Sequence, residues 1–243
     1  MTRAAFVRRI TVDPSRSARE RLAFLAVGPV DLRLSSPLTI LVGENGCGKT
    51  TLLEAIAARC SIRPAGGRSY TETEDERAAT VLSDAVVVEL SCSPRRMDGL
   101  FIRADRLHES ATGMAPGGKV RMATTGEWRE LSEQSRGESM LSLLQAQLNA
   151  STGRLFLLDE PEVALSPQRQ MALLCLLDEV HRDGRSQVIM ATHSPMLMAH
   201  PAADILWLDE NGINRRKLEE VTHWQLMRRL MANPADFCAR LFK

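Results

Sequence analysis

A glycine-rich octet between two apolar segments constrains this chain more than any other feature. Residues 39–42 form a short apolar run that predicts a strand, and residues 51–60 carry apolar side chains at helical spacing. The octet between them matches the pattern G-x-x-x-x-G-K-T, and it contains Gly43, Glu44, Asn45, Gly46, Cys47, Gly48, Lys49 and Thr50. A strand, this octet and a helix, in that order, predict a loop that binds the phosphates of a nucleotide.

The residue types of the octet suit a triphosphate, which needs many hydrogen-bond donors at close range. Its three glycines allow positive φ and a close approach of the backbone, so that successive N–H groups and the start of the helix form an anion cradle. Lys49 supplies a compact positive charge for the β- and γ-phosphates, and the Thr50 hydroxyl is the expected Mg²⁺ ligand. We predict that residues 43–50 and Thr51 contact the nucleotide. The alternative is a chance glycine turn before a helix.

Composition narrows the class of protein without indicating a partner. The 243 residues suffice for one large α/β domain, and we expect residues 1–243 to form a single domain with a small inserted lobe at about residues 61–134. The formal net charge of +1 provides no general attraction to nucleic acid or to a membrane. Five scattered cysteines without C-x-x-C spacing indicate a reducing compartment and no zinc site. No signal peptide or apolar run of membrane-spanning length is visible, which favours a cytoplasmic protein without direct membrane insertion.

The pattern of apolar residues predicts an α/β fold. Apolar or β-branched runs predict strands in residues 85–90, 100–105, 155–158, 188–191 and 205–208. Buried strands separated by helices imply a mostly parallel, doubly wound sheet. Residues 4–12 and 22–34 predict an additional, antiparallel β region at the N-terminus, whereas residues 112–130 show little periodicity and predict an irregular excursion. The pair Asn211-Gly212 predicts a tight hairpin after the last strand.

Three helices are predicted in the second half of the chain. Ser135 begins the first, Ser166-Pro167 begins the second with Gly184 as its stop, and Thr222 is the expected cap of a third helix near residues 222–232. The apolar side chains expected to face the core, from the first two of these helices and from the helix after the octet, are Cys60, Met140, Leu141, Leu144, Leu148, Met171, Leu174, Cys175 and Val180.

Polar residues follow the predicted strands at the sheet edge where parallel sheets bind their ligands. Asp159 ends one buried run, where it would hold Mg²⁺ directly or through water. The adjacent Glu160 is the candidate to position or deprotonate an attacking water. His193, after the next strand, is a candidate sensor of the γ-phosphate. The alternative is two solvated acids and a histidine without a catalytic role.

Together these segments resemble the motifs of the ABC-type ATPases. Residues 43–50 resemble a Walker A motif, and residues 155–160 resemble a Walker B motif with its adjacent catalytic glutamate. Residues 164–167 resemble a D-loop, and residues 192–194 resemble a switch-histidine loop. Given these other motifs, residues 135–138 resemble a divergent ABC signature. The set in this order is highly specific, and it spans most of the chain.

The resemblance is strongest to the non-transporter branch of these ATPases. This branch includes the SMC/RecF-like and overcoming-lysogenization-defect-like ATPases and small stand-alone AAA-type ATPases, and the last group is the most similar. The resemblance implies a P-loop NTPase fold with an ABC ATPase-type domain, ATP and Mg²⁺ as ligands, and hydrolysis by Lys49, Glu160 and His193. It also implies that Ser135 and Gly137 contact the ATP of a second subunit in an ATP-dependent, head-to-tail homodimer.

The sequence departs from the family pattern at several positions. Arg136 replaces the usual glycine of the signature, and residues 135–138 also fit a helix capping box. The glutamine of the Q-loop is missing, and Arg103 and Asp105 are the nearest residues to its expected position. Phe24 is favoured as a core residue, with stacking on adenine as the alternative.

The leading functional hypothesis is a cytoplasmic ATPase whose ATP-dependent dimerisation drives an unidentified protein effector. One alternative is the ATPase subunit of an ABC transporter, and another is a nucleotide-gated switch with little turnover. Two features disfavour the transporter. The segment between the Asp105 region and Ser135 is short, and the signature is not Leu-Ser-Gly-Gly-Gln. A DNA partner is implied only by analogy with SMC/RecF-like relatives.

Overall fold

The computed structural model of the protein describes residues 6–13, 15, 23–26, 28–62, 84–91, 98–104, 119–121, 128–130, 136–148 and 153–242. The strands within these ranges are β1 (Val7–Val12), β2 (Val30–Arg33), β3 (Leu38–Val42), β4 (Val86–Leu90), β5 (Gly99–Arg103), β6 (Lys119–Arg121), β7 (Trp128–Glu130), β8 (Leu155–Asp159), β9 (Gln187–Ala191), β10 (Asp204–Asp209) and β11 (Gly212–Arg216). The helices are α1 (Lys49–Arg59), α2 (Arg136–Leu148), α3 (Pro167–Asp183), α4 (Pro195–Met198), α5 (Thr222–Ala232) and α6 (Pro234–Leu241). Short 3₁₀ turns lie at Ala23–Leu25, Pro161–Ala164 and Leu218–Glu220.

A mostly parallel sheet forms the centre of the fold, in the order β11-β10-β3-β9-β8-β5. The strands from β10 to β5 pair in parallel, and β11 pairs antiparallel with β10 through the hairpin predicted at Asn211-Gly212. Every residue of β3, β8 and β9 is buried. These strands are therefore covered on both faces, which explains why their sequences are continuous apolar runs and confirms the predicted α/β architecture.

Two layers cover the central sheet. On one face, α1 packs together with a three-stranded antiparallel sheet of order β2-β1-β4, which is the predicted N-terminal β region. On the other face lie α2, α3 and α4. Side chains of β3 alternate between the two layers, since Leu41 packs with α1 whereas Ile40 and Val42 pack with α3 and its neighbours. The carboxyl ends of β3, β8 and β9 remain at one edge, between these layers.

A buried glutamine connects the two sheets. The side chain of Gln187, at the start of β9, is fully buried and accepts a hydrogen bond of 2.8 Å from the backbone N–H of Val7. Its amide nitrogen donates to the carbonyl oxygen of Val7 at 3.0 Å. The side chain therefore satisfies both backbone groups of a buried residue at the start of β1, where an apolar side chain would leave them without partners.

Replacing Gln187 with leucine is expected to destabilise the protein by about 2–4 kcal/mol, because two buried peptide groups lose their partners. Equilibrium unfolding in urea measures this cost. The control is Gln168→Leu on the exposed first turn of α3, which should change the free energy of unfolding by less than about 0.5 kcal/mol. An unchanged unfolding midpoint for Gln187→Leu would show that the link between the sheets does not contribute to stability.

The structure corrects the predicted inward faces of two helices. On α3, Met171 is 58% exposed and Cys175 is exposed, so their predicted place in the core is wrong. The residues that α3 buries are Leu173, Leu176, Leu177 and Val180. The buried side of α3 is therefore rotated about the helix axis relative to the predicted side. Apolar residues lie on more than one side of α3, and only the side that contacts β3 and β9 is buried. On α2, Leu143 is buried and Leu141 only half-buried; the side chain of Leu148 lies outside the described residues.

Other differences are local. The helix α5 begins at Thr222 itself and Val221 is its N-cap, so Thr222 is not the cap. A further helix, α6, follows α5 and was not predicted. Within residues 112–130, β6 and β7 form an antiparallel pair instead of an irregular excursion. Cys60 and Phe24 are buried in the core, which leaves Phe24 no exposed face for an adenine ring.

Candidate active site

The glycine-rich loop connects β3 to α1 at the carboxyl edge of the central sheet. Gly48 is the N-cap of α1 with a φ of 101°, and Gly46 has a φ of 78°. These left-handed conformations turn the chain so that the first N–H groups of α1 face outward from the sheet edge. A Cβ atom on Gly43 would lie 2.3 Å from the carbonyl oxygen of Leu208 in β10, so the start of the loop tolerates no side chain.

Lys49 holds its positive charge inside this loop. The side chain is only 4% exposed, and Nζ donates to the carbonyl oxygens of Gly43 at 2.8 Å and Glu44 at 3.0 Å. The tip of the loop, at residues 44–46, is exposed, whereas Cys47 is buried. Burial raises the pKa of the Cys47 thiol despite the nearby lysine, so the thiol stays neutral. A buried cation at a helix N-terminus is an arrangement that suits a phosphate group.

Two oxygen donors meet beside the loop. The Thr50 hydroxyl donates to Oδ1 of Asp159 at 3.1 Å, and Asp159 is 6% exposed at the end of β8. Mg²⁺ prefers hard oxygen ligands and in nucleotide sites uses one or two protein groups together with phosphate and water oxygens. Among the described residues, no group of three or more histidine, cysteine or acidic side chains could hold a metal ion. The Thr50–Asp159 pair therefore fits a magnesium ion bound jointly with phosphates.

Arg103, one of the two residues nearest the expected position of the Q-loop glutamine, is the last residue of β5. It forms an ion pair with Glu54 of α1, and its Nε lies 4.0 Å from Oδ2 of Asp159. Asp105, the other residue considered for this position, lies outside the described residues. A guanidinium group therefore lies beside the candidate metal site.

Glu160 and His193 face each other at the ends of neighbouring strands. Glu160 adopts a left-handed conformation with a φ of 47°, and its N–H donates to the carbonyl oxygen of Ala191 at 2.9 Å. The side chain of Glu160 is 38% exposed, and its Oε1 lies 3.6 Å from Nε2 of His193. The predicted acid and imidazole are thus brought together beside the loop.

The imidazole of His193 is neutral at about pH 7. Burial lowers the pKa of His193 below its usual value, and the nearby charge of Lys49 lowers it further. The carboxylates of Glu160 and Glu162 act in the opposite direction and do not outweigh these effects. A neutral imidazole carries one N–H, which can donate to a phosphate oxygen without requiring a proton from solvent.

Glu162 holds the His193 segment in place, a role that the sequence did not reveal. Its carboxylate accepts hydrogen bonds from the Thr192 hydroxyl at 2.7 Å and from the backbone N–H of His193 at 2.5 Å. The next residue, Ser194, donates to Oε1 of Gln170 at 2.5 Å. The only sequence signal was the second acid of Asp-Glu-Pro-Glu, which a solvated loop would explain equally well.

The predicted signature segment lies at the start of α2. Ser135 and the side chain of Arg136 lie outside the described residues, so the predicted capping box is not observed. A Cβ atom on Gly137 would lie 2.5 Å from the carbonyl oxygen of Ala164, in the predicted D-loop. Glu138 pairs with Arg169 at 2.8 Å. Gly137 therefore permits close packing within the chain, in addition to any contact with a second subunit.

Comparison with known families identifies the chain. A family model described as an AAA domain matches residues 23–150, which is more than half of the chain. The chain belongs to this family. A second AAA domain model, whose description also names an AbiEii toxin and a Type IV TA system, matches residues 123–199. The two matches together span the glycine-rich loop, the acids after β8 and His193.

Curated and solved relatives of this AAA-domain protein come from the ABC and SMC ATPases. The thiamine import ATP-binding protein ThiQ of Chelativorans sp. (strain BNC1) is 28% identical over 211 residues, covering 79% of this chain and 82% of that protein. The structure of cbiO1 from Clostridium perfringens, part of the ABC transporter complex cbiONQ, has a TM-score of 0.52 at 14% identity and covers 96% of this chain and 99% of that chain. An SMC head bound to the C-winged helix domain of ScpA has a TM-score of 0.54 at 12% identity and covers 89% and 99%.

These similarities confirm the predicted resemblance to ABC-type P-loop ATPases and the predicted α/β fold. The AAA-domain protein is a P-loop, ATP-binding ATPase that is similar in sequence to ABC ATPases. The two structural likenesses concern the fold alone, because both identities are low. No helix that the structure describes is both long enough and apolar enough to cross a membrane.

Proposed function

We propose that this AAA-domain protein hydrolyses ATP to ADP and phosphate with Mg²⁺ bound beside the phosphates. The observation that supports this best is a convergence of polar side chains at the carboxyl ends of three neighbouring parallel strands, β3, β9 and β8. These side chains are Lys49, Thr50, Asp159, Glu160 and His193. A buried cation, a pair of oxygen donors and an acid beside an imidazole are the groups that phosphoryl transfer to water requires.

In this proposal, the loop and Lys49 bind the phosphates. The N–H groups at the start of α1 donate to phosphate oxygens, and Lys49 exchanges its two loop carbonyls for the β- and γ-phosphates. Thr50 and Asp159 would hold the metal ion; in the structure, the Thr50 hydroxyl donates a hydrogen bond to Oδ1 of Asp159. When bound, Mg²⁺ neutralises charge that develops on the phosphates.

Glu160 and His193 act at the other side of the γ-phosphate. Glu160 orients the attacking water and accepts its proton as the bond between the γ-phosphorus and the bridging oxygen breaks. His193 donates its single N–H to a γ-phosphate oxygen, and Glu162 keeps the backbone of His193 in position for this contact. Each of these roles uses a group that already faces the loop.

We further propose that ATP joins two chains head to tail. The start of α2, with Ser135 and Gly137, would then contact the ATP bound by the partner subunit, since a helix N-terminus favours an anion. Dimerisation and release would drive a conformational change in an unidentified protein effector in the cytoplasm. A role on DNA is supported only by analogy with SMC-like relatives.

Removing the metal tests the reaction itself. Phosphate release by the purified wild-type chain should fall by about 100-fold or more when EDTA removes Mg²⁺, because the metal contributes several kcal/mol to charge stabilisation. Excess Mg²⁺ should restore the rate. Turnover that persists without a divalent cation would contradict the proposed roles of Thr50 and Asp159.

A second candidate function is the ATPase subunit of a transporter. The similarity to a thiamine import ATP-binding protein over most of both chains favours it. A third candidate, a nucleotide-gated switch, binds ATP with little turnover. To separate the first two candidates, the Glu160→Gln variant can be purified from cells in the presence of ATP. A membrane permease that co-purifies in stoichiometric amount supports the transporter subunit. A soluble effector that co-purifies supports the leading proposal. For a switch, wild type and Glu160→Gln would give equal effector output.

A further inference from the structure

Three aromatic rings form a row beside the phosphate loop. The ring of His223, in the first turn of α5, lies 5.4 Å from the ring of His193, centroid to centroid, with 69° between the ring planes. On its other side, the same His223 ring lies 5.8 Å from the ring of Trp207 in β10. The first contact is an edge-to-face arrangement, which is a favoured geometry for aromatic pairs. His223 therefore packs directly on the candidate sensor of the γ-phosphate.

The rest of the row is fixed to the core of the site. Trp207 pairs in the sheet with Val42, the residue just before the glycine-rich loop, and its indole N–H donates to Asp209 at 2.9 Å. Nε2 of His223 lies 4.0 Å from a carboxylate oxygen of Glu44 in the loop. His223 thus lies between the loop and His193, although it is separated from both by a long stretch of sequence.

Ring packing, and not a hydrogen bond, connects the two histidines. Among the described residues, neither Nδ1 of His223 nor Nε2 of His193 has a hydrogen-bond partner, although both atoms are buried. Oε1 of Glu160 lies 3.6 Å from Nε2 of His193, which is beyond normal hydrogen-bond length. The backbone of His193 is fixed by Glu162, but that contact leaves the ring free to rotate about its side-chain bonds. The ring of His223 packs edge-to-face against the ring of His193.

We propose that His223 is a positioning residue, whose ring holds the imidazole of His193 in the orientation in which Nε2 faces Glu160. The inference rests on the proposed role of His193 in ATP hydrolysis. Because His223 belongs to α5, the orientation of the sensor is also linked to the position of the C-terminal helices. No residue of α5 or α6 is fully buried, although Trp224 of α5 packs against the core, so a shift of these helices would move the His223 ring.

Steady-state kinetics of three variants test this role. His223→Ala should lower kcat by about tenfold, the scale of one aromatic pair, while KM for MgATP changes by less than about twofold. His223→Phe keeps the edge-to-face contact and should retain most of kcat. Arg228→Ala, on the exposed side of the same helix, is the control and should match wild type. A phenylalanine variant as slow as the alanine variant would overturn the inference, since only ring packing is proposed.

A double-mutant cycle tests whether His223 acts through His193. In a His193→Ala background, the additional change His223→Ala should alter kcat by less than about twofold, because the ring to be positioned is gone. If the same change again lowers kcat about tenfold, His223 acts independently of His193 and the inference fails.

An NMR measurement without nucleotide separates this inference from the proposed function. The imidazole resonances of His193 should shift in His223→Ala, and its titration midpoint should rise, because burial and the neighbouring His223 both lower the pKa of His193 in the wild type. The other charged groups facing this ring are Lys49, Glu160 and Glu162, and the variant leaves them in place. Unchanged His193 resonances would overturn the inference. A wild-type chain without ATPase activity would refute the proposed function, and these spectra would still report on the ring contact.

Discussion

Lys49→Ala is expected to lower ATP turnover by about 100- to 1,000-fold, the loss typical when one preorganised electrostatic contact to a reacting group is removed. Nζ of Lys49 is buried and donates to two carbonyl oxygens of its own loop, and it lies 3.9 Å from Sγ of Cys47. Phosphate oxygens carry more negative charge than these carbonyls, so the ammonium should transfer to them when ATP binds. Alanine removes that charge from the centre of the loop and should weaken ATP binding as well as catalysis. Phosphate release and the binding of a fluorescent ATP analogue measure the two effects.

Two further variants make the Lys49 result specific. Lys49→Arg keeps the charge but replaces a compact ammonium by a larger planar group, so it should restore little activity in a loop built around a point charge. Arg182→Ala removes an exposed positive charge on α3 and should leave turnover unchanged. The thermal unfolding midpoint of Lys49→Ala should stay within a few degrees of wild type, because alanine is a good helix former at the start of α1. Turnover within about threefold of wild type in Lys49→Ala would contradict the assigned role.

The central sheet could be predicted from the sequence because strands that are buried on both faces have a restricted amino-acid composition. Strands covered on both faces must be apolar throughout, and β3, β8 and β9 are such strands. The glycine loop was equally predictable, since the observed φ of Gly48 and the crowding at Gly43 both exclude other residues. The roles of Asp159 and His193 as candidate site residues were predicted because each residue lies at the end of a predicted strand. These features depend on local sequence and on the general rules of parallel sheets.

Features that depend on distant packing were not predicted. Which side of α3 faces the sheet is decided by β3 and β9, so Met171 and Cys175 were assigned to the core although they are exposed. Glu162 acquires its role only because Thr192 and His193 come to lie within hydrogen-bond distance of it. The contact between His223 and His193 was not predicted either, because α5 is distant in sequence from the motifs of the site. Periodicity and motif spacing contain no information about such contacts.

Glu160→Gln is expected to lower hydrolysis by about 100- to 10,000-fold, which is the usual contribution of a general base. The amide has nearly the same size as the carboxylate but cannot accept a proton from water. The residue has a left-handed backbone conformation whose N–H bonds to Ala191, and glutamine should keep this conformation as well as glutamate does. ATP binding should therefore persist. Single-turnover phosphate release and analogue binding check both expectations, and Glu179→Gln, an exposed acid on α3, is the control that should match wild type.

Slow hydrolysis should also make the proposed dimer visible. With ATP and Mg²⁺, Glu160→Gln should elute in size-exclusion chromatography with light scattering at twice the mass of one chain, whereas wild type returns to the monomer as ATP is consumed. The double variant Lys49→Ala/Glu160→Gln should remain monomeric, because ATP no longer bridges the loop of one chain and α2 of the other. If Glu160→Gln binds ATP with wild-type affinity and still elutes only as a monomer, the head-to-tail site is wrong. The catalytic assignment of Glu160 would survive that result, since its carboxylate and His193 lie together within a single chain.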